Sequence, residues 1–245
     1  MSPPIVFYDL ELDTPNEIWS PNTARTRVCL NIKKIPFETR WLTFFDVQTV
    51  IPELTQNGVA PTVPVIVDKA HGDKVVQESW EIARYLDEAF PEAPKLIGDH
   101  EPLFFFFNRF VFNDLMMNIH SLVVLKVHNK CTPKELQDWF RKGREEIYKR
   151  KLEDFTKDED SIIKEIKHIM RFINMTLRKY PFLAGDRPTF ADATVAGAFI
   201  FLKALRPELF GPVLLDAIPR SDAVRKWWDR MLPYTDLDSA PSSNL

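Results

Sequence analysis

The stretch Ile5-Val6-Phe7-Tyr8-Asp9-Leu10, followed after a loop by Trp19-Ser20-Pro21-Asn22-Thr23-Ala24, decides how the first part of the chain folds. Its first half mixes β-branched and aromatic residues and reads as a strand. Ser20 is a favoured helix N-cap. Pro21 suits the first helical position because it has no N–H to leave unpaired. Ala24, Val28 and Ile32 then recur at helical spacing, which predicts a helix with one buried face. Working outward, Phe37 to Phe44 reads as a second strand. Val63 to Asp68 and Lys74 to Gln77 read as a hairpin around the turn residues His71-Gly72-Asp73. From Ser79 to Phe90 the pattern is helical, with Ile82, Ala83, Leu86 and Phe90 on one face. The order is β-α-β, an irregular stretch, then β-β-α. It predicts a small mixed sheet covered by helices.

Pro91-Glu92-Ala93-Pro94 and Gly98-Asp99-His100 form a linker, and no strand is predicted beyond it. Helical patterns run over 101–129, 133–150, 160–180, 191–205 and 223–232. The expected organisation is an α/β domain over 1–94, an all-helical domain over 101–235 and a flexible tail over 236–245. Val195 to Leu202 is an unbroken apolar run, which predicts a central helix buried all round. The alternating charges of 141–167 read as a solvated, salt-bridged face. The aromatic run Leu103 to Phe107, with Phe110 and Phe112, is too dense for a single helix face. Part of it is expected to meet the first domain, part the core, and part a partner subunit or ligand.

Bulk properties narrow the class. The 245 residues carry 32 basic and 35 acidic side chains, for a net charge of -3. No basic stripe marks a nucleic-acid partner. Two cysteines, Cys29 and Cys131, are too few for a disulfide framework and suit a reducing compartment. Cys29, inside the first helix, reads as a small core residue. Neither a signal-peptide pattern nor an uninterrupted apolar run of about 20 residues is present, so a cytoplasmic protein without a membrane span is expected. The final Ser243-Asn244-Leu245 differs by one residue from a peroxisomal address, a minor alternative. The five histidines lack metal-ligand spacing, and no metal is expected.

Four motifs remain. Where a dithiol redox turn would read Cys-Pro-x-Cys, Ser20 and Thr23 stand, which excludes a mixed disulfide at this position. A serine hydroxyl can instead donate to a bound thiolate. Lowering a thiol pKa from near 8.5 by about two units needs roughly 2.7 kcal/mol. One hydrogen bond to a charged group supplies about 1.5–3 kcal/mol, and a helix N-terminus adds up to ~2 kcal/mol. Ser20 as a plain cap stays open beside this. At Val63-Pro64 a cis bond would turn the Val63 backbone toward a peptide-like ligand; an ordinary trans strand entry is the alternative. Glu78-Ser79 opens a helix where the N-terminus could take an α-carboxylate and Glu78 an ammonium, or Ser79 could simply cap. Thr189-Phe190-Ala191-Asp192 reads as a capping box that serves folding.

In their order and spacing these motifs resemble the glutathione transferase family, over about residues 5 to 235. The resemblance implies a thioredoxin-like N-terminal domain and an all-helical C-terminal domain. It implies that Ser20 is catalytic, that Val63 and a cis Pro64 bind the cysteinyl backbone of glutathione, and that Glu78 and Ser79 hold its γ-glutamyl end. Asn22 is a further candidate for binding glutathione. Several classes place lysine or glutamine before the valine; here Thr62 stands, and Gln48 becomes the candidate for the glycine carboxylate. Within the family the chain is similar to a fungal branch related to bacterial β-etherases. That likeness rests on Tyr8-Asp9-Leu10, Ser20-Pro21-Asn22-Thr23, Val63-Pro64-Val65-Ile66, Glu78-Ser79-Trp80-Glu81-Ile82-Ala83, Tyr85-Leu86-Asp87 and the segment Trp139 to Glu146. The implied activity is conjugation of glutathione, the co-substrate, to hydrophobic or aromatic electrophiles, or ether cleavage, in detoxification. A ligandin-like carrier of aromatic compounds is the alternative. Trp19, Phe112 and Met116 are expected to wall the second-substrate pocket, and the chain to form a homodimer.

Overall fold

The computed structural model describes residues 3–236. The expected tail and its Ser243-Asn244-Leu245 end lie outside the described residues, apart from Asp236. The strands are β1 (Ile5–Leu10), β2 (Phe37–Leu42), β3 (Val65–Asp68) and β4 (Lys74–Gln77), with α1 (Pro21–Lys33), α2 (Phe44–Thr55) and α3 (Ser79–Ala89) between and after them. The sheet order is β2-β1-β3-β4. β1 and β2 are parallel, with Ile5 opposite Phe37. β3 runs antiparallel to both β1 and β4. A parallel neighbour needs a crossover, and α1 supplies it. This is the expected mixed sheet.

Three elements depart from the sequence reading, the first being the strand expected over 37–44, which ends at Leu42 because Thr43 caps a helix that begins at Phe44. The stretch expected to be irregular holds α2, capped by a reciprocal box in which Thr43 and Asp46 satisfy each other's backbone N–H. Pro52 inside α2 masked it from propensity reasoning. Also, α1 buries nearly every residue rather than one stripe, Arg25, Arg27 and Lys33 included. It lies between the sheet on one side and the helical domain on the other. Its cations therefore need partners. Arg27 pairs with Asp9 at 2.8 Å, both about 1% exposed, and stacks over Phe7, Phe37 and Trp41. Lys33 pairs with Asp87 at 2.9 Å, and the same carboxylate accepts from the Leu96 and Ile97 N–H groups. The linker is thereby held to α1 and α3.

From Glu101 onward the regular elements are helical: α4 (Glu101–Phe110), α5 (Met117–Lys130), α6 (Lys134–Tyr148), α7 (Glu159–Leu177), α8 (Phe190–Leu205), α9 (Pro207–Leu209) and α10 (Ala223–Met231). A π-helical turn, Val111–Met116, joins α4 to α5, so Glu101–Lys130 is one continuous helix. Its mean hydropathy reaches 1.3, and by length and composition alone it could cross a membrane. Asn108, Arg109, Asn113 and Asp114 interrupt its apolar run but not the helix, in keeping with the helical pattern over 101–129. In this fold it packs into the helical domain against α7 and α8. α8 is the buried central helix. Its box forms as expected, with Asp192 accepting from the Thr189 N–H at 2.9 Å; the carboxylate also accepts from Leu183 N–H and Trp227 Nε1–H, each at 2.9 Å. The two domains meet where α8 packs along α1.

Candidate active site

A cleft of about 710 Å³ opens between the domains, and every residue proposed from the sequence for the site except Pro64 lines it: Trp19, Ser20, Asn22, Gln48, Val63, Glu78, Ser79, Phe112 and Met116. Ser20 sits at the N-cap of α1 with extended backbone (φ -68°, ψ 125°), yet its hydroxyl makes no capping bond. Its carbonyl does the local work, accepting from Ala24 N–H and the Thr23 hydroxyl. The hydroxyl is thus free to act on a ligand at the positive end of a 13-residue helix. The side-chain cap considered for Ser20 is not made.

The Val63–Pro64 bond is cis, as is Thr132–Pro133. Among the described residues the Val63 N–H and C=O have no hydrogen-bond partner, so both remain available to a peptide-like ligand. Glu78 occupies a region natural to glycine, with φ 77° and ψ 128°. Such strain persists only where surroundings enforce it, and it gathers at functional sites. Here Glu78 N–H donates to the Pro64 carbonyl at 3.2 Å, while its side chain accepts from the Thr62 hydroxyl at 2.9 Å. Glu78 is the N-cap of α3, so Ser79 is its first helical residue rather than its cap. Gln48 stands exposed on α2 at the rim.

Sequence reasoning missed Arg25. This guanidinium is 4% exposed and lines the cleft. It donates to Asn108 Oδ1 at 2.8 Å, Ser79 Oγ at 3.3 Å and Asn22 Oδ1 at 3.4 Å. Burial lowers its pKa to about 10, opposed in part by the charge of Glu78. It stays cationic at neutral pH. Its Nε is buried without a partner. A fixed cation beside Ser79 and Glu78 gives the helix end a second handle on a carboxylate. No local motif announces it, because its partners Ser79 and Asn108 come from 54 and 83 residues away.

The opposite half of the cleft is aromatic. Trp19 is buried on the floor between Phe44 and Phe201, each with ring centres 6.1 Å away. Phe112 and Met116 lie on the π turn, with Arg109 over the Phe112 ring at 5.1 Å. Sequence reasoning also missed Trp139, His120, Arg144 and Tyr148 as cleft residues. The charge pattern of α6 does form surface pairs such as Arg141–Glu145, but Arg144 turns inward. The face is therefore not uniformly solvated. The arrangement combines a peptide-binding wall, an uncapped hydroxyl at a helix N-terminus, and an apolar chamber.

Comparisons with known proteins agree with this geometry. Family models described as the N-terminal and C-terminal domains of glutathione S-transferase match residues 19–89 and 102–210, together more than half of the chain. A glutathione S-transferase-like protein of Aspergillus flavus is 25% identical over 221 residues, covering 77% of this chain and 76% of its own. A carnation glutathione S-transferase is 37% identical over 75 residues; this chain spans only 33% of that relative's length. Among solved structures, a Ceriporiopsis subvermispora glutathione S-transferase in complex with glutathione superposes with a TM-score of 0.83 and 26% identity, over 96% of this chain and 99% of its own. A glutathione transferase from Phanerochaete chrysosporium does so with 0.78 and 27%, over 97% and 100%. With the two-domain fold, the site geometry and these matches in agreement, the chain belongs to the glutathione transferase family.

Proposed function

We propose that the protein is a glutathione transferase of the serine type, acting on hydrophobic or aromatic electrophiles or on activated ethers. The observation that carries this reading is the uncapped Ser20 hydroxyl at the N-terminus of α1, inside a cleft with a peptide-binding wall and an aromatic wall. The residues fit glutathione. Val63 offers an unpaired backbone edge for the cysteinyl unit, and Glu78 with Ser79 and Arg25 offers charge complements for an amino-acid end. Glutathione supplies the nucleophilic thiolate. Ser20 donates its hydroxyl proton as a hydrogen bond to that sulfur and, with the helix end, favours the ionised form. Carbon–sulfur bond formation then expels a leaving group, while the aromatic chamber holds the acceptor. Similarity to the two fungal enzymes supports placing the chain near a fungal branch. A homodimer is part of the same proposal. Leu103, Phe105 and Phe106 stand exposed on α4, and sedimentation of the purified chain reads the mass.

Ser20→Ala tests the mechanism. The expected result is a ten- to hundredfold fall in conjugation rate near neutral pH, with recovery as pH approaches the free thiol range and with glutathione affinity largely kept. Wild-type turnover across that range would remove Ser20 from the chemistry.

A further inference from the structure

One corner of the cleft is out of character with its aromatic walls. His120 on α5 and Arg144 and Tyr148 on α6 line it together. The His120 ring lies 5.4 Å from that of Tyr148 and 5.8 Å from that of Phe155. Its Nδ1 is buried without a hydrogen-bond partner. Arg144 packs its guanidinium over Phe140 at 4.8 Å. Among the described residues it has no ion-pair or hydrogen-bond partner, and no carboxylate is among the charges acting on it. Arg144 is half-buried in the cleft wall, and a cation drawn even partly out of water is paired as a rule. Elsewhere in this molecule the rule holds: Arg27 has Asp9, Lys33 has Asp87, and Arg25 has three side-chain acceptors.

We infer that the corner formed by Arg144, His120 and Tyr148 is a subsite for an anionic oxygen, so that the second substrate is an aromatic acid carrying a carboxylate or ionised phenol. This rests on reading the cleft as the acceptor pocket. Arg144 supplies fixed positive charge and directional donors. Burial, together with the charges of Arg144 and Arg150, lowers the His120 pKa to about 4. At neutral pH the imidazole is therefore uncharged and keeps one N–H to donate. Tyr148 adds a phenol donor. The flat walls at Trp139 and Phe112 take the ring, and the corner takes its acid group.

The test is a fluorescence titration of the purified full-length protein, with saturating glutathione, using 2-naphthoate and its neutral counterpart 2-naphthamide. Naphthoate is expected to bind about tenfold or more tightly, the worth of a hydrogen bond to a charged group. Arg144→Met, which keeps the aliphatic stem over Phe140, is expected to bring naphthoate down to the naphthamide level, with naphthamide and glutathione affinities within about twofold of wild type. Arg144→Lys is expected to keep part of the preference. Equal affinities of the two probes for the wild-type protein overturn the subsite without any variant having to fold, and so does a preference that survives Arg144→Met. Met116→Gln, which adds polarity without charge, separates the two readings. If it weakens both probes, the cleft is the acceptor pocket, and equal probe affinities then sink the subsite alone. If neither probe binds, or Met116→Gln changes nothing, the acceptor-pocket reading falls and the subsite falls with it.

Discussion

Gly197 of α8 packs directly on the carbonyl oxygen of Pro21, so a Cβ at position 197 would collide with the backbone that begins α1. The same Cβ would press on the Arg25 backbone nitrogen and Cβ at 3.4 Å. The turn at Ser20 is thus seated on the core helix of the other domain through a contact that only glycine permits. The position of Ser20 depends on this seat as much as on the sheet beneath it.

Gly197→Ala is accordingly expected to destabilise the protein by about 1–3 kcal/mol, although alanine is the better helix former. Because α1 must shift to admit the methyl group, conjugation should fall further than stability alone explains. Chemical denaturation midpoints and kcat/KM for one electrophile check this. A variant as stable and active as wild type would show that α8 does not seat the turn.

Arg25 joins Asn22, Ser79 and Asn108, residues of α1, α3 and α4, around one buried guanidinium. Arg25→Met should raise the Kd for glutathione about tenfold or more and strand Asn108, which is 6% exposed, without its donor. Arg25→Lys should recover part of the affinity, since it keeps the charge but not the fork geometry. Calorimetric titration with glutathione reads both. Unchanged affinity in Arg25→Met would make Arg25 a domain staple and nothing more.

What the sequence disclosed and what it hid divide along sequence distance. Ser20-Pro21, Glu78-Ser79 and the box of Thr189 and Asp192 are local signals that mark helix starts, whereas the cis bond at Val63-Pro64 follows from the family resemblance and not from the residues alone. The strands β1 and β4 and the ends of α8 and α10 also follow from local periodicity. Arg25 and Arg144 look like any solvated arginine on a helix, since only the folded chain reveals that one is buried against a residue 83 positions away and the other turned into the cleft. The box of Thr43 and Asp46 was as legible as that of Thr189 and Asp192, and Pro52 obscured the helix it starts. The π turn that places Phe112 and Met116 has no sequence signature of its own.

His120 gives the protein a defined acid sensitivity. Burial, then the charges of Arg144 and Arg150, holds its folded pKa at about 4 against an ordinary 6.5; the rings of Tyr148 and Phe155 pack beside it. Between those values the unfolded chain binds more protons than the folded one. The contribution is therefore complete above pH 6.5 and is lost as pH falls toward 4, by roughly 3 kcal/mol over the whole window. His120→Phe should flatten the pH dependence of the urea midpoint in that range. Identical slopes for the two proteins would assign the acid sensitivity to other groups.

Lys130, at the end of α5, reaches across to the loop that leads into the turn at Ser20. Its ammonium lies 2.7 Å from Asp13, 3.0 Å from Glu17 and 3.2 Å from the Thr14 hydroxyl. The lysine side chain is 26% exposed, so water and salt screen these pairs, and their sum should add no more than about 1 kcal/mol to stability. Their positional effect is another matter. The loop runs directly into Trp19 and Ser20, and the proposed mechanism needs a bound sulfur within hydrogen-bond reach of that one hydroxyl. A small shift of that hydroxyl weakens a contact worth more than the clamp itself. Lys130→Met should therefore leave the unfolding midpoint nearly unchanged while lowering kcat/KM several-fold. Added salt should lower wild-type activity toward the variant's and leave the variant almost unaffected, because screening removes only what the mutation has already removed. Parallel salt profiles for the two proteins would mean that the loop is held in place without this clamp.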